Sequence, residues 1–550
     1  MTATAAEPDT ATRAPRGRLA RTAVLVAVFV CAACGLVYEL ALVALGSYLI
    51  GDTVGQASIV VSLMVFAMGV GALAAKPLQR RAAEAFAAIE LLLALLGGLS
   101  VLLLYAAFAW LSLYTPALIA TALVLGVLIG AEIPLLMVLL QRIRRQDAGS
   151  AVADLFAADY VGGLVGGLAF PFLLLPLFGQ VQGALAVGMV NAVAGLGLVL
   201  SVFRRELSKR AVLLLTGASV LVGGALVGAY AFAEDFEVTA RQALYADPVV
   251  HAERTPYQEV VLTESVSLSG NTDTRLYLNG DLQFSSLDEY RYHEAMVHPA
   301  MAGPRGRVLV LGGGDGLALR EVLRYPDVRE VTLVELDPAV LQIARDDPRV
   351  ASLNGHAFDD PRVRMVAEDA FTWLRENRDR YDVVLVDMPD PDSTATAKLY
   401  STEFYGLVRH AMAGDARVVV QAGSPYFAPQ AFWCVEATMR AVDLRTVPYA
   451  VTVPSFGEWG FHLATTPGDD PAPQGGAAPT DVAVRSPLAS PGAPELRLPS
   501  DVPPLRSLDA ATLRAAATFP PDRTRIPGME PSTLMHPTIL QHAQGEWENY

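Results

Sequence analysis

Four acids and one amide close five apolar runs in the second half of this 550-residue chain. RVLVLG leads through glycines to Asp315, VTLVE ends on Glu335, VRMVAED on Asp369, YDVVLVD on Asp387, and RVVVQAG carries Gln421. One acid after one strand is commonplace as a helix cap. Four along one sheet edge exceed what capping needs. A rim of carboxylates attracts cations, accepts hydrogen bonds from ribose hydroxyls and can take a proton from a reacting group. The glycines add a second signal. VLVLGGGD, continued by Gly316, is an apolar strand entering a glycine turn ahead of the helical spacing in LALREVLRY. Gly312 and Gly314 let the backbone approach a ligand, and Glu335, about twenty residues on, is placed for ribose hydroxyls. Together they point to an adenosine-containing ligand. Asp387-Met388-Pro389-Asp390-Pro391 then sets a second acid three positions after the first.

These residues need a scaffold that brings strand ends to one edge. Residues 301–466 alternate strand and helix, the pattern of a Rossmann-like, doubly wound, mostly parallel sheet whose ligands lie beyond the carboxyl ends of the strands. Residues 235–300 read as a small antiparallel β domain: EVVLTES and RLYLNGDLQF alternate in polarity around SLSGNTDT. DEYRYHEAMVHP follows, with Tyr292 and His293 leading into a helix. Residues 467–505, rich in Pro, Ala, Gly and Asp, read as a flexible linker. Residues 506–550 form a C-terminal segment with a short helix.

The first half is of another kind. After a basic tail over 1–21, expected to be disordered, residues 22–234 hold about seven segments long enough to span a bilayer, which takes roughly twenty apolar residues. They lie near 23–50, 53–75, 85–107, 115–140, 155–178, 182–203 and 211–233. The fold class is therefore an α-helical multi-pass membrane domain followed by an α/β portion. Basic clusters at the tail, at Lys76 with Arg80 and Arg81, at Arg142 with Arg144 and Arg145, and at Arg204, Arg205, Lys209 and Arg210 are cytoplasmic under the positive-inside rule. Seven spans from a cytoplasmic N-terminus leave the second half outside. Glu39, Glu90, Glu132 and Asp159 lie within the spans without Lys or Arg at comparable depth. They are either structural acids hydrogen-bonded to neighbouring helices or the lining of a path for a cation. The formal charge of −15 argues against nucleic acid and suits a cationic small molecule. Three cysteines, Cys31, Cys34 and Cys434, offer neither a disulfide framework nor a zinc spacing, and no cluster resembles a metal site.

With TPYQEVVL, LYLNGDLQFSSLDEYRYHEAMVHP, VLVLGGGDGLALREVL, VELD, EDA and DMPDP followed by KLYSTEFY, the stretch 255–465 resembles the spermidine synthases, the polyamine aminopropyltransferases. The membrane half, with GLVYELAL and AADYVGGLVGGLAFP, resembles the multi-pass version of that family. The resemblance implies transfer of an aminopropyl group from decarboxylated S-adenosylmethionine, a co-substrate, to a diamine such as putrescine. It implies no further cofactor, no metal, and a homodimer. By motif match Gln258, Glu335, Asp369 and Ala370 would hold the nucleoside. His293 and Asp315 would hold the aminopropyl or amine portion, Asp387 would accept the proton, and Asp390 with Tyr292 would bind the diamine. Gln421 is counted with the substrate residues from its strand-end position. Each has a plain structural reading beside it: His293 as a surface histidine, Tyr292 as core packing, Asp390 as a turn cap.

Two stretches depart from the family pattern. DPDSTATAKLY replaces DPxGPA, so the proline that meets the adenine has no counterpart. VTVPSFGEWGF replaces the tyrosine-bearing PTYPSG-like loop, with Val453 at about that tyrosine and Glu458 nearby. The rival readings are a methyltransferase using ordinary S-adenosylmethionine and a non-catalytic polyamine-binding sensor or transporter. Which side of the membrane carries the second half stays open, because the donor is made in the cytoplasm while the span count points outward.

Overall fold

The computed structural model describes residues 14–50, 53–143, 148–204, 207–266, 270–467 and 486–547. The chain divides into two compact units, Met1–Ala246 and Asp247–Tyr550.

The described residues of the first unit are helical, in the segments Ala14–Ile50, Thr53–Ala74, Ala82–Ala106, Tyr114–Ile143, Ala148–Ala169, Leu175–Val202, Lys209–Ala231 and Ala233–Leu244, with short tighter or wider turns between some of them. Among the described residues, six apolar helical stretches are long enough to cross a membrane. The difference from seven lies in Val152–Val202, which counts as one stretch of 51 residues. At 1.5 Å per residue a straight helix of that length would run roughly 75 Å, against a hydrocarbon core of about 30 Å. Gly179, at φ 67° and ψ −169°, breaks it between the two expected segments. The basic tail is shorter than expected, because the first helix starts at Ala14. Pro15 is tolerated in a first turn, and the Arg, Leu and Ala that follow are strong helix formers. Residues 1–13, with Arg13, and Arg144, Arg145 and Arg205 lie outside the described residues. Helices close on one another through small residues, as they do where no hydrophobic drive pushes helices together and close packing must hold them. Gly162 and Gly166 rest on the backbone of Phe29 and Ala33, leaving no room for a Cβ. Of the acids in these apolar helices, Glu90 accepts 2.8 Å from Asn191 Nδ2 on a neighbouring helix.

The boundary between the halves falls later than expected. AEDFEVTARQAL forms the helix Ala233–Leu244, with Glu234 and Asp235 in its first turn and Arg241 in its last complementing the helix dipole. The small sheet of the second unit starts only at β1 (Val249–Arg254), followed by β2 (Glu259–Val266), β3 (Thr272–Leu278) and β4 (Asp281–Ser285), each antiparallel to the next. Residues 267–269 of its SLSGNTDT turn lie outside the described residues.

The larger sheet has β5 (Arg307–Gly312), β6 (Glu330–Glu335), β7 (Val363–Ala367), β8 (Tyr381–Asp387), β9 (Met412–Gln421), β10 (Arg445–Val453) and β11 (Gly457–Thr465). Its order is β10-β11-β9-β8-β5-β6-β7. The five expected strands, β5 to β9, run parallel; β10 and β11 form an antiparallel hairpin on the β9 edge. Chain order reverses between β5 and β8, and at such a switch point loops diverge to opposite faces and leave a crevice. The Val308–Leu311 and Val383–Val386 runs are buried on both sides, as a covered parallel sheet demands.

The linker reading needs correction over its second half. Residues 468–485 lie outside the described residues, but 486–505 pack on the second unit. Leu496 is fully buried, Ser490 exchanges hydrogen bonds with the backbone of Thr446, and Arg305 pairs with Asp501. Proline-rich composition here marks extended chain without regular structure, not loose chain. The C-terminal segment folds onto the same unit through Leu513, Ile539 and Ala543.

Candidate active site

The glycine turn is built by the switch point. Gly312 and Gly313 adopt φ 80° and 63°, which side chains resist, and Gly313 N donates 3.2 Å to Asp387 O on the neighbouring β8. A Cβ at Gly313 would stand 3.1 Å from Asp387 Oδ2, and one at Gly314 would stand 2.8 Å from Glu335 Oε2. The carboxylates of Glu335 and Asp387 therefore flank the turn from either side. Asp315 closes it, accepting 2.8 Å from Leu317 N at the start of helix Leu317–Leu323. Three of the acids picked out at strand ends converge on one crevice.

Each is held uneasily as an anion. Burial, helped by the charge of Asp315, raises the Asp387 carboxyl to about 6, while His293 and the Tyr292 hydroxyl oppose the rise. Burial raises Glu335 to about 7, against hydrogen bonds from the Leu336 and Asp337 backbone. Burial also lifts Asp315 above the ordinary range. A group of desolvated carboxylates that raise one another is an electrostatic vacancy for positive charge.

Tyr292 OH donates 2.5 Å to Asp387 Oδ1, and its ring meets Phe461 at 5.1 Å and Phe456 at 6.1 Å. It combines packing with a polar contact. His293 is 2% exposed, so its reading as a surface residue fails. Its Nδ1 faces Glu289 Oε2 at 3.0 Å, and Glu289 is itself gripped by the Arg320 guanidinium at 3.0 and 2.9 Å. Burial alone would lower the imidazole pKa, but the hydrogen bond and charge of Glu289 raise it. Sequence reasoning passed over Glu289 and Arg320, although the i, i+4 spacing of Glu289 and His293 is a usable signal.

On the other side, Gln258 Nε2 donates 3.2 Å to Asp337 Oδ2, and Thr255 Oγ1 donates 2.7 Å to the same oxygen. Asp337 Oδ1 caps the helix Pro338–Asp346, and Asp337 N donates 3.0 Å to Glu335 Oε1. Asp337 is thus the link between Gln258 and Glu335 that the sequence reading missed; the Asp-Pro helix start in VELDP was the available sign. Asp369 caps the helix Ala370–Glu376 through Thr372 N and pairs with Lys398 at 2.7 Å; Ala370 is buried behind it. Burial would raise Asp369, but Lys398 and Thr372 bring it below its ordinary value. Lys398 belongs to the stretch that departs from DPxGPA: Ser393 caps the short helix Thr394–Ala397, which delivers the lysine to Asp369.

Beyond Asp387, Gln421 Nε2 contacts Met388 O at 2.5 Å, Tyr400 OH at 2.6 Å and Asp390 Oδ1 at 3.3 Å. Its Oε1 accepts 3.2 Å from Trp459 Nε1. Burial, with the charges of Asp392 and Asp281, raises Asp390 to about 7, and burial with Asp392 raises Asp281 to about 6. Beside its place in the proline turn, the Asp390 side chain meets Gln421. Asp281, Asp392, Tyr400 and Trp459 were not picked out from sequence. Val453, expected at about the place of the family loop's tyrosine, is fully buried in the β10–β11 hairpin.

An α/β fold with carboxylates flanking a glycine turn at its switch point is an arrangement suited to small cationic ligands. A Spermine/spermidine synthase domain matches residues 289–471. Polyamine aminopropyltransferase 1 of Streptomyces coelicolor is 57% identical over 533 residues, 97% of this chain and 96% of that protein. A polyamine aminopropyltransferase of Mycobacterium tuberculosis is 43% identical over 537 residues, 96% of this chain and 97% of that one. A solved spermidine synthase in complex with the transition state analogue AdoDATO is 27% identical, covering 40% of this chain and 75% of that one with a TM-score of 0.38. The chain belongs to the polyamine aminopropyltransferase family: it is an enzyme of aminopropyl transfer, whose family uses decarboxylated S-adenosylmethionine and an amine.

Proposed function

We propose that this enzyme moves the aminopropyl group of decarboxylated S-adenosylmethionine to a diamine such as putrescine, giving spermidine and methylthioadenosine. The supporting observation is the convergence of Asp315, Glu335 and Asp387 on one glycine turn, each with a raised carboxyl pKa. Glu335, steadied by Asp337 and Gln258, takes the ribose hydroxyls beside Gly312 and Gly314. Asp369 and Ala370 border the nucleoside; with its carboxylate tied to Lys398, Asp369 shapes that end instead of charging it. Asp315 and His293 receive the aminopropyl arm, which ends in an ammonium because the donor lacks a carboxylate. Asp390 and Gln421 hold the distal end of the diamine, and the Tyr292 ring packs beside the amine while its hydroxyl stays on Asp387.

The chemistry turns on removing one proton. An amine near pKa 10 faces an aspartate near 3.9, a gap of about six units. A sulfonium about 4 Å from the ammonium disfavours it by roughly 4 kcal/mol at an effective dielectric of 20, about three units. Burial with Asp315 lifts Asp387 to about 6. The raised acid and the lowered amine thus lie closer together than in water, and desolvation of the ammonium narrows the gap further. The nitrogen lone pair then attacks the aminopropyl carbon, the carbon–sulfur bond breaks, and its electron pair leaves on sulfur as neutral methylthioadenosine. Asp387 keeps the proton. No residue role in this sequence calls on a metal or a second cofactor.

We also propose that the apolar helices embed the first unit in the cell membrane and that the enzyme works as a homodimer. The membrane reading is supported by the length of those helices and by side chains such as Leu213, Leu214 and Leu221, each more than 70% exposed. The test of function is product analysis. Full-length protein in detergent is given the decarboxylated donor with putrescine and with longer and shorter diamines. Methylthioadenosine formed one-for-one with aminopropylated putrescine supports the reading; S-adenosylhomocysteine from ordinary S-adenosylmethionine, or no turnover with any diamine, overturns it.

A further inference from the structure

The helical unit brings together groups that the aminopropyl reaction does not use. Cys31 lies on helix Ala14–Ile50, Glu90 on Ala82–Ala106 and Glu132 on Tyr114–Ile143. They are 2%, 0% and 6% exposed, and their sulfur and carboxylate ligand atoms all lie within 4.8 Å of one another. The expectation that no cluster resembles a metal site fails here, because residues far apart in sequence are gathered by helix packing. A fourth helix, Leu175–Val202, supplies Asn191, whose Nδ2 donates 2.8 Å to Glu90 Oε2. Among the described residues its buried Oδ1 has no partner, nor have Glu90 Oε1 and the hydroxyl of Tyr38.

Two carboxylates buried among apolar helices need neutralising, and an uncompensated pair is very costly. No Lys, Arg or His occurs between residues 22 and 75 or between 82 and 141, the stretches that carry Cys31, Glu90 and Glu132. The compensating charge must come from bound protons or a bound cation. The donor set decides between kinds of cation. A thiol beside two carboxylates is a mixed soft and hard set, which suits a zinc-class ion better than an alkali ion or an ammonium. Glu90 Oε1, without a partner among the described residues, is a lone pair such an ion would draw on, and the Asn191 hydrogen bond fixes the Glu90 carboxylate in place as outer-shell partners of metal ligands do.

We propose that the helical unit holds one divalent transition-metal ion between Cys31, Glu90 and Glu132, with Asn191 orienting Glu90. The ion ties three helices at their common core and cancels the charge of the two carboxylates. Binding releases whatever protons the thiol and carboxyls carry.

The test uses full-length protein purified in detergent without chelators. Elemental analysis should find about one zinc-class ion per chain. Exchange with Co2+ should give a near-ultraviolet sulfur-to-cobalt charge-transfer band that disappears in Cys31→Ser. Asn191→Ala, which keeps all three ligands, should weaken Co2+ binding about 10–100-fold while the band can still be filled at higher metal. Wild-type protein that is monodisperse and active, yet carries no metal and shows no band with added Co2+, overturns the proposal and leaves protons as the neutralising charge. A band that survives in Cys31→Ser also overturns it, since the sulfur would then be Cys34 or Cys434.

Discussion

Replacing Tyr292 by Phe removes one hydrogen bond and little else, so it probes the proposed base directly. The hydroxyl donates 2.5 Å to Asp387 Oδ1 and helps hold the carboxyl down at about 6. A hydrogen bond to a charged group is worth about 1.5–3 kcal/mol, or about one to two pKa units. Losing it destabilises the anion, so the Asp387 pKa rises; taking the smaller figure, it reaches about 7. Wild-type carboxyl is then about half ionised at pH 6 and about nine-tenths at pH 7, against roughly one-tenth and one-half in the variant. kcat/KM should therefore fall about fivefold at pH 6, about twofold at pH 7 and hardly at all at pH 9, with the acidic limb displaced upward by about one unit. The assay is initial-rate release of methylthioadenosine across that range, at fixed ionic strength. A uniform loss at every pH, with the limb unmoved, would refute the idea that this hydroxyl tunes the base; it would leave Tyr292 a packing or amine-contact residue only.

Other outcomes follow from the same geometry. Asp387→Asn keeps the shape and removes the base, so turnover should drop about 10²–10⁴-fold while calorimetry shows the donor still bound. Glu335→Gln should raise the KM for the donor about tenfold, the equivalent of about 1.4 kcal/mol, with a smaller change in kcat. Asp390→Asn should raise the amine KM and leave donor binding unchanged, which amine titrations at saturating donor will show. Glu294, 1% exposed, accepts backbone N–H groups from Arg506, Ser507 and Leu508 at 2.6, 2.9 and 3.1 Å. Glu294→Ala leaves those donors unpaired and should cost the second unit about 3 kcal/mol, seen as a lower unfolding midpoint and earlier proteolysis near residue 506.

The strand ends were legible because a buried parallel strand writes itself as an unbroken apolar run, and the polar residue that stops it is conspicuous. Asp315, Glu335 and Asp387 emerge on that ground alone. Their partners were not legible for a physical reason: hydrogen bonds such as Glu289 to His293, Asp337 to Gln258 and Lys398 to Asp369 join residues whose side-chain directions are set only once sheet and helices have packed. The same holds for the β10–β11 hairpin, whose GEWGFHLAT strand mixes polar and apolar residues because one end borders the site. Composition misled in two places. Proline-rich 486–505 is anchored by Arg305 on the loop before β5 and by the Thr446 backbone of β10, and the tail beyond Ala14 has the propensity to continue the first helix. In the helical unit, apolar length located the helices, but nothing in one-dimensional spacing shows that Cys31, Glu90 and Glu132 share a point.

The central claim is that carboxylates at one rim of the sheet select a donor without a carboxylate of its own, and equilibrium binding of two ligands tests it most directly. Wild-type protein should bind decarboxylated S-adenosylmethionine at least about tenfold more tightly than S-adenosylmethionine, since Asp315 attracts the bare ammonium and repels the extra anion. Asp315→Asn should erase most of that preference. Equal affinity for the two ligands in the wild type, or a preference untouched by the substitution, would contradict the account.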